Sequence, residues 1–310
     1  MDIDRAIAIA NGAVEAGATS APVIAATVPN SILVIDGDGF NYSCAGSDDT
    51  SPAWARTRLL DRINGLKQTT GAERVEIHLT YPGSNKRMRY AIASVKPYQL
   101  SRKTHKPKNW QFLRDTLEAM PEARSWGDRE ADDGIAMVAF ERASAGHTCF
   151  IASADKDMRM LPGIHVHLET YEQVHVPLDA WDVQGWDGKQ FGRKWFYLQM
   201  LHGDAVDNIP GLERWVNLNG KPVLCGEKTA AKILEFIPNT IVAMTAVANC
   251  YQDYYGDAWA DRMVEQAALL WLSQDSAAKQ LVPHEFMQIP YLRDAVHRLA
   301  GRVYAQAEDN

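Results

Sequence analysis

Cysteine is scarce in this chain of 310 residues: Cys44, Cys149, Cys225 and Cys250 are widely spaced and form no Cys-x-x-Cys pair. A zinc knuckle is therefore not expected, and the thiols read as buried and free in a reducing compartment. No apolar run approaches the length of a membrane span, and the start lacks a basic segment leading into an apolar one. Those two absences predict no membrane contact and a cytoplasmic location. The nine histidines contain no His-Glu-x-x-His or other paired-ligand spacing, and His78, His165 and His167 fall on alternating strand patterns as packed or surface residues. There is no internal repeat and no low-complexity tract. Acid is missing altogether from Lys86 to Lys108.

What is present is an ordinary globular composition, 46% hydrophobic and 9% aromatic, with a formal charge of -7 and a pI near 5.7. The length calls for one large domain or two. The first residues are rich in alanine, with Ile3, Ala6, Ile7, Ala10 and Val14 at helical spacing. Pro22 to Pro29 reads as a linker, so 1–30 is taken as an extension. From Ser31 the pattern is α/β. The run SILVI ends in Asp-Gly, as a buried parallel strand does before a turn. Strands are also predicted at Arg74–Thr80, His147–Ala152 and Ile164–Leu168, and helices at Trp54–Lys67, Trp110–Met120 and Glu130–Ala145. That alternation predicts a parallel sheet with crossovers over 31–187. After Gly188 strand signals fade, and helices are predicted at Gln190–His202, Glu227–Phe236, Thr240–Tyr251 and Ala258–Ser273. Residues 188–310 therefore read as a second, mainly helical region.

Carboxylates gather at the ends of these elements. Asp36 follows the first strand. Glu130, Asp132 and Asp133 open a helix, and share roughly half its circumference at about 3.6 residues per turn. Asp155 and Asp157 follow a later strand, and Asp204 and Asp207 lie in a Gly-flanked turn. In an open parallel sheet the strand ends share one edge, where ligands bind. Singly, each acid also fits a cap or turn residue, and Asp38 is assigned to turn support. Together they suit hard divalent cations such as Mg²⁺, which take oxygen ligands. Two such ions about 3.5–4 Å apart would serve in-line displacement at phosphorus.

The acid-free stretch carries eight cations: Lys86, Arg87, Arg89, Lys96, Arg102, Lys103, Lys106 and Lys108. Tyr98 and Trp110 are interleaved with or flank them. Lysine and arginine supply phosphate contacts, and aromatics stack on unpaired bases. A solvated loop is the alternative reading. A third element, Gly226-Glu227-Lys228-Thr229, precedes a helix, where backbone N–H groups can hold a phosphate.

These pieces, in this order, resemble the 5′-nuclease family: flap endonucleases, the 5′-nuclease domain of bacterial DNA polymerase I, and phage 5′→3′ exonucleases. The resemblance runs from about Ser31 to about Leu234, with a weaker echo to Leu272, and rests on EADD, SADKD and GDAVDNIPG followed by GEKTAAKIL. The phage branch fits well, since KPYQLSRK resembles its Tyr-Lys-X-Asn-Arg motif and no polymerase region is present. The resemblance implies a PIN-like α/β nuclease domain followed by a helical region with a helix–three-turn–helix clamp. It implies a two-ion Mg²⁺ or Mn²⁺ site at Asp36, Glu130, Asp132, Asp133, Asp155, Asp157, Asp204 and Asp207. Arg102, Lys103 and Lys96 would steer a 5′ strand; Lys106, Lys108, Tyr98, Gly226, Lys228 and Thr229 would contact DNA, with a potassium ion at the clamp. The implied partner is DNA with 5′ ends or flaps, extending to RNA–DNA hybrids, in host cytoplasm for a phage-encoded chain. The implied activity is a metal-dependent 5′→3′ exonuclease with flap-endonuclease character.

Three departures stand out. Tyr81 occupies the position of an expected acid after the second strand, Gln99 replaces the motif lysine, and an insert falls near Asn217 to Val223. The first two support an alternative, a structure-specific DNA-binding protein with weakened or lost catalysis. A PIN-type ribonuclease is a third option, disfavoured by the helical region and the clamp-like motif.

Overall fold

The computed structural model describes residues 24–100, 105–213, 215–216, 219–220, 222–223 and 225–308. The helical spacing read in residues 3–14 lies outside them, as do Arg102 and Lys103.

The described residues open with strand β1 (Val28–Asp36), helix α1 (Gly37–Ser43), helix α2 (Pro52–Thr70) and strand β2 (Ala72–Thr80). A short turn of helix, α3 (Arg89–Ile92), precedes α4 (Trp110–Glu118), β3 (Ala123–Trp126), α5 (Ala131–Ser144), β4 (Cys149–Ala152), β5 (Gly163–Val166) and β6 (Gln173–Val176). One sheet results, ordered β3-β2-β1-β4-β5-β6, parallel except for β6 against β5. β1 and β4 are central neighbours, with Ile35 opposite Ala152. Their following residues therefore emerge side by side at the carboxyl edge. The last six residues of β1 are buried on both faces, as its unbroken apolar run predicts.

Local chemistry explains the helices that frame this edge. α2 starts at Pro52 because Ser51 accepts the Trp54 N–H, and it stops at Gly71, which adopts a left-handed φ of 64°. α5 starts without a cap from Glu130 itself. Instead the Thr80 hydroxyl, at the end of β2, accepts the Ala131 N–H at 2.9 Å. That leaves the Glu130 carboxylate available to the site. Gly134 lets α5 settle on Trp126, since a Cβ there would fall 2.2 Å from the indole nitrogen.

Two hydrophobic layers cover the sheet. Leu33, Ile35, Leu59, Leu113 and Phe150 pack on one face. Ile32, Val34, Ile135 and Ile151 pack on the other, and this second core continues through Trp195, Phe196, Met263 and Trp271. The boundary placed at 187/188 is thus crossed by continuous apolar packing. Just before it lies β7 (Val183–Gln184), and beyond it lie β8 (Gln190–Phe191), α6 (Arg193–His202), β9 (Trp215–Val216), β10 (Pro222–Val223), α7 (Glu227–Ile233), α8 (Thr240–Tyr255), α9 (Trp259–Leu270) and α10 (Pro290–Glu308). The strand pairs β7–β8 and β9–β10 are antiparallel. They correct the reading that strands end near Gly188: two-residue strands are too short to show a period. Of the insert read near Asn217 to Val223, Pro222 and Val223 form β10, and Asn217 lies outside the described residues.

All four cysteines are free and buried. Among the described residues no helix is long and apolar enough to cross a membrane.

Candidate metal centre

Asp36 ends β1 and doubles as the N-cap of α1, accepting the Gly39 N–H at 3.0 Å on Oδ1. Its Oδ2 accepts the Ser153 hydroxyl at 2.8 Å, across from the neighbouring β4. Burial, with Asp38 and Asp155 nearby, pushes the Asp36 carboxyl up to about 6. Asp155 caps a 3₁₀ turn, Lys156–Met160, by accepting the Asp157 N–H at 2.9 Å. The capping and cation-binding readings of these two acids are compatible, because each oxygen of Asp36 accepts one bond and a carboxylate oxygen has two lone pairs, while only Oδ1 of Asp155 is engaged by the cap.

Asp132 is the hub. Burial, then Asp155, Asp36 and Glu130, raise its pKa well above the usual carboxylate range. Among the described residues it has no hydrogen-bond or ion-pair partner. A half-buried, unpartnered carboxylate facing three others is costly without a cation.

A second group lies beside it. Asp157, Asp204 and Asp207 each offer an oxygen within 4.8 Å of the others. Asp204 is only 3% exposed, held by a bridge to Ile209 and by Gly203, whose φ of 74° turns the chain sharply after α6. Asp157 accepts the Gln199 side-chain amide at 2.6 Å. Burial and Asp155 push its carboxyl up to about 7, despite Lys156. All the donors are carboxylate oxygens, the set suited to Mg²⁺ or Mn²⁺ and unsuited to soft metals. Among the described residues the Asp157 trio therefore fits a divalent ion, and Asp36, Asp132 and Asp155 form a neighbouring acidic group whose oxygens do not converge as closely.

Glu130 joins the groups. Its Oε2 accepts Arg89 at 2.8 Å and the Tyr98 hydroxyl at 2.9 Å. Its Oε1 lies 3.3 Å from the Gln99 amide and 3.4 Å from the Lys86 ammonium. Gln99 also donates to Asp207 Oδ1 at 3.2 Å and accepts Lys86 at 2.6 Å. The position of the motif lysine is thus held by an amide that bonds both Lys86 and Glu130, while Lys86 itself pairs with Glu130.

Three placements correct the sequence reading. Asp133 is fully buried with both oxygens occupied: Arg87 at 2.8 Å, Arg89 at 2.7 and 3.0 Å, and the Ser273 N–H at 2.9 Å. Against burial, those guanidinium groups hold its carboxyl down to about 2, so it braces the fold and leaves the cation-facing set. Arg87 and Arg89 likewise turn inward, onto Asp133 and the carbonyls of Ala268, Leu269 and Trp271. The basic stretch therefore loses two of its cations to the interior. Tyr98 is 5% exposed and hydrogen-bonds Glu130 and Asp207, so no ring face is left to stack on a base.

Lys96, Lys106 and Lys108 are exposed, Lys106 lying 3.6 Å over the Trp110 ring. Gly226 is the N-cap of α7, with Lys228 exposed in its first turn and the Thr229 N–H bonded to the Gly226 carbonyl. Tyr81 is 56% exposed. The end of β2 is instead reached by Asp38, which accepts the Thr80 N–H at 3.1 Å and Arg114 at 2.7 Å. Against its assignment to turn support, the Asp38 carboxylate ties the start of α1 to β2 and α4, and burial raises its pKa.

The sequence reading missed Lys156, Gln199 and Ser153. Lys156 lies between two assigned acids, a signal that was available. Gln199 sits inside an apolar helix, and nothing local marks it.

No family model matches the chain. It is 33% identical over 111 residues to DNA polymerase I of Rhizobium leguminosarum, a match covering 34% of this chain. The chain spans only 9% of that relative's length. Its structure is similar to the bacteriophage T5 D15 protein co-crystallized with metal ions: TM-score 0.53, 15% identity, 89% of this chain and 98% of the other. It is also similar to the T5 D15 flap endonuclease in a complex with DNA and metal ions: TM-score 0.55, 14% identity, 88% of this chain and 99% of the other. The resemblance to the 5′-nuclease family therefore holds in the fold as well as in the motifs.

Proposed function

We propose that this chain is a divalent-metal-dependent nuclease that hydrolyses phosphodiester bonds in DNA with 5′ ends or flaps, working 5′→3′, as in flap or primer removal during replication. The observation that supports this reading is the Asp157, Asp204 and Asp207 trio, with oxygens within 4.8 Å of one another, beside an Asp132 carboxyl whose pKa is raised by burial and by Asp155 and Asp36. Divalent ions bound there supply Lewis-acid activation of the phosphodiester and of water.

The protein's own residues do the positioning. Ser153 and the Gly39 N–H fix the Asp36 carboxylate, and Gln199 fixes Asp157. Tyr98 and Gln99 tie Glu130 to Asp207. The cation ligands are Asp36, Asp132, Asp155, Asp157, Asp204 and Asp207, with Glu130 reaching an ion by releasing one of Arg89, Tyr98, Gln99 and Lys86 from its oxygens. Lys96, Arg102 and Lys103 steer the 5′ strand, and Lys106 and Lys108 add phosphate contacts. Gly226, Lys228 and Thr229 grip the duplex, with a potassium ion at that turn as part of the same reading.

The test is a 5′-labelled flap substrate with Mg²⁺ or Mn²⁺ and with chelator. Metal-dependent product at catalytic protein concentration supports the assignment. Asp155→Ala removes cleavage and spares DNA binding; full activity in that variant rejects the reading. The binding-only alternative draws on the Lys156 ammonium seated among Asp157 and Asp204. Tight flap binding without product in either metal would favour it.

A further inference from the structure

With Arg87 and Arg89 turned inward, the basic stretch has fewer cations to offer a substrate, and a further group of cations lies outside it. A cavity of about 380 Å³ opens beside Ser153 and Asp155, and Arg58, Arg62, Arg159 and Lys189 line it. They come from separate segments. Arg58 and Arg62 lie four residues apart on one face of α2, Arg159 follows the Asp155–Asp157 turn, and Lys189 comes from the β7–β8 connection.

The three arginines share a feature. Arg58 lies over Trp54 at 5.3 Å, Arg62 over Phe40 at 5.6 Å and Arg159 over Trp195 at 5.0 Å. Among the described residues none of the three forms an ion pair with a carboxylate. An aromatic face orients a guanidinium without neutralising it and leaves N–H groups for an anion, although one Arg62 N–H already donates to the Leu168 carbonyl at 3.5 Å. Lys189 does pair with Asp187, at 3.2 Å. The lining acids are Asp155 and Glu169 against the four cations, so the cavity is net positive.

We propose that this cavity binds phosphate groups of the DNA backbone and forms a second electrostatic grip on the substrate, next to Asp155 and separate from Lys86–Lys108. Planar guanidinium groups suit phosphate oxygens, and the cavity shares the Asp155 wall with the carboxylate cluster. This inference rests on the nuclease reading.

The test is fluorescence anisotropy of a labelled flap DNA in Ca²⁺ across a salt titration, with the intact chain and folding checked by circular dichroism. Arg58→Gln/Arg159→Gln is expected to bind about tenfold more weakly, and its slope of log K against log salt should flatten by roughly 1.8, about 0.9 per lost phosphate contact. Arg56→Gln, on the same helix and outside the cavity lining, removes one charge and should leave the slope unchanged. Arg58→Gln/Lys189→Gln replaces the first pair if the Arg159 variant misfolds. Wild-type binding together with unaltered affinity and slope in the cavity variants overturns the proposal and leaves the nuclease reading standing. Absence of DNA binding by the wild type overturns both.

Discussion

Lys156 places its ammonium 2.5 Å from Asp204 Oδ2 and 3.3 Å from Asp157 Oδ1. Burial works against its charge, yet Asp157 and Asp204 outweigh that and raise its pKa. The ammonium thus shares the oxygens of the Asp157, Asp204 and Asp207 trio. An ammonium and a divalent ion compete for the same oxygens, so metal loading here has to displace Lys156. Lys156→Gln should bind Mn²⁺ at this site about tenfold more tightly, roughly 1.4 kcal/mol. The same variant should melt earlier in chelator, because it leaves buried carboxylates unpaired. Calorimetric Mn²⁺ titration reads the first effect, and unchanged affinity in the variant would show that the lysine does not compete.

The Tyr98 hydroxyl spans Glu130 and Asp207, at 2.9 and 3.2 Å. Tyr98→Phe keeps the ring and removes only this link. About 1 kcal/mol of stabilisation should go with the hydrogen bonds. Steady-state cleavage should show a several-fold lower kcat with KM for DNA unchanged. A raised KM with normal kcat would instead return Tyr98 to a substrate-contacting role.

The sheet and the acidic groups were legible in the sequence because both obey simple rules. The SILVI run is apolar throughout because β1 is buried on both faces, and Asp36 and Asp155 mark strand ends. Short strands such as Ala123–Trp126 carry no readable period; Ala123 and Trp126 are its only apolar residues. The destinations of Arg87, Arg89 and Tyr98 were not legible either. Whether a basic stretch faces solvent or core depends on α9 and on the segment ending at Ser273, some 180 residues away. Helix period did place Asp133 on a helix with Asp132, and one step of about 100° is enough to turn a carboxylate from the site to the interior.

Asp133 sits among two guanidinium groups and a backbone N–H, all buried. Removing it strands the Arg87 charge and leaves Arg89 with Glu130 alone. Asp133→Ala should therefore lose about 3–5 kcal/mol in urea unfolding, the cost of breaking a buried ion pair. Asp133→Asn, which keeps an acceptor for the Ser273 N–H, should lose less. Mn²⁺ stoichiometry in the folded Asn variant should match wild type. A lost ion in that variant would put Asp133 back in the ligand set.

The carboxyls of Asp36 and Asp157 stand at about 6 and about 7 through burial and neighbouring acids, against about 4 in an unfolded chain. With raised values the folded state holds protons that the unfolded state has released. Their stabilising contribution is fully present below about pH 4 and is lost as pH rises through about 6 and about 7. His165, pushed down to about 4 by burial, works the other way, since the unfolded state takes up its proton first as pH falls. The two senses overlap in a simple melting curve, but the histidine contributes equally with and without metal. The difference in Tm between Mn²⁺ and chelator isolates the carboxylates. Metal needs them ionised, so this difference should be small at pH 5 and grow to pH 8, with most of the rise between about 6 and about 7. A difference independent of pH across that range would mean that Asp36 and Asp157 are ionised throughout, or that neither touches the ion.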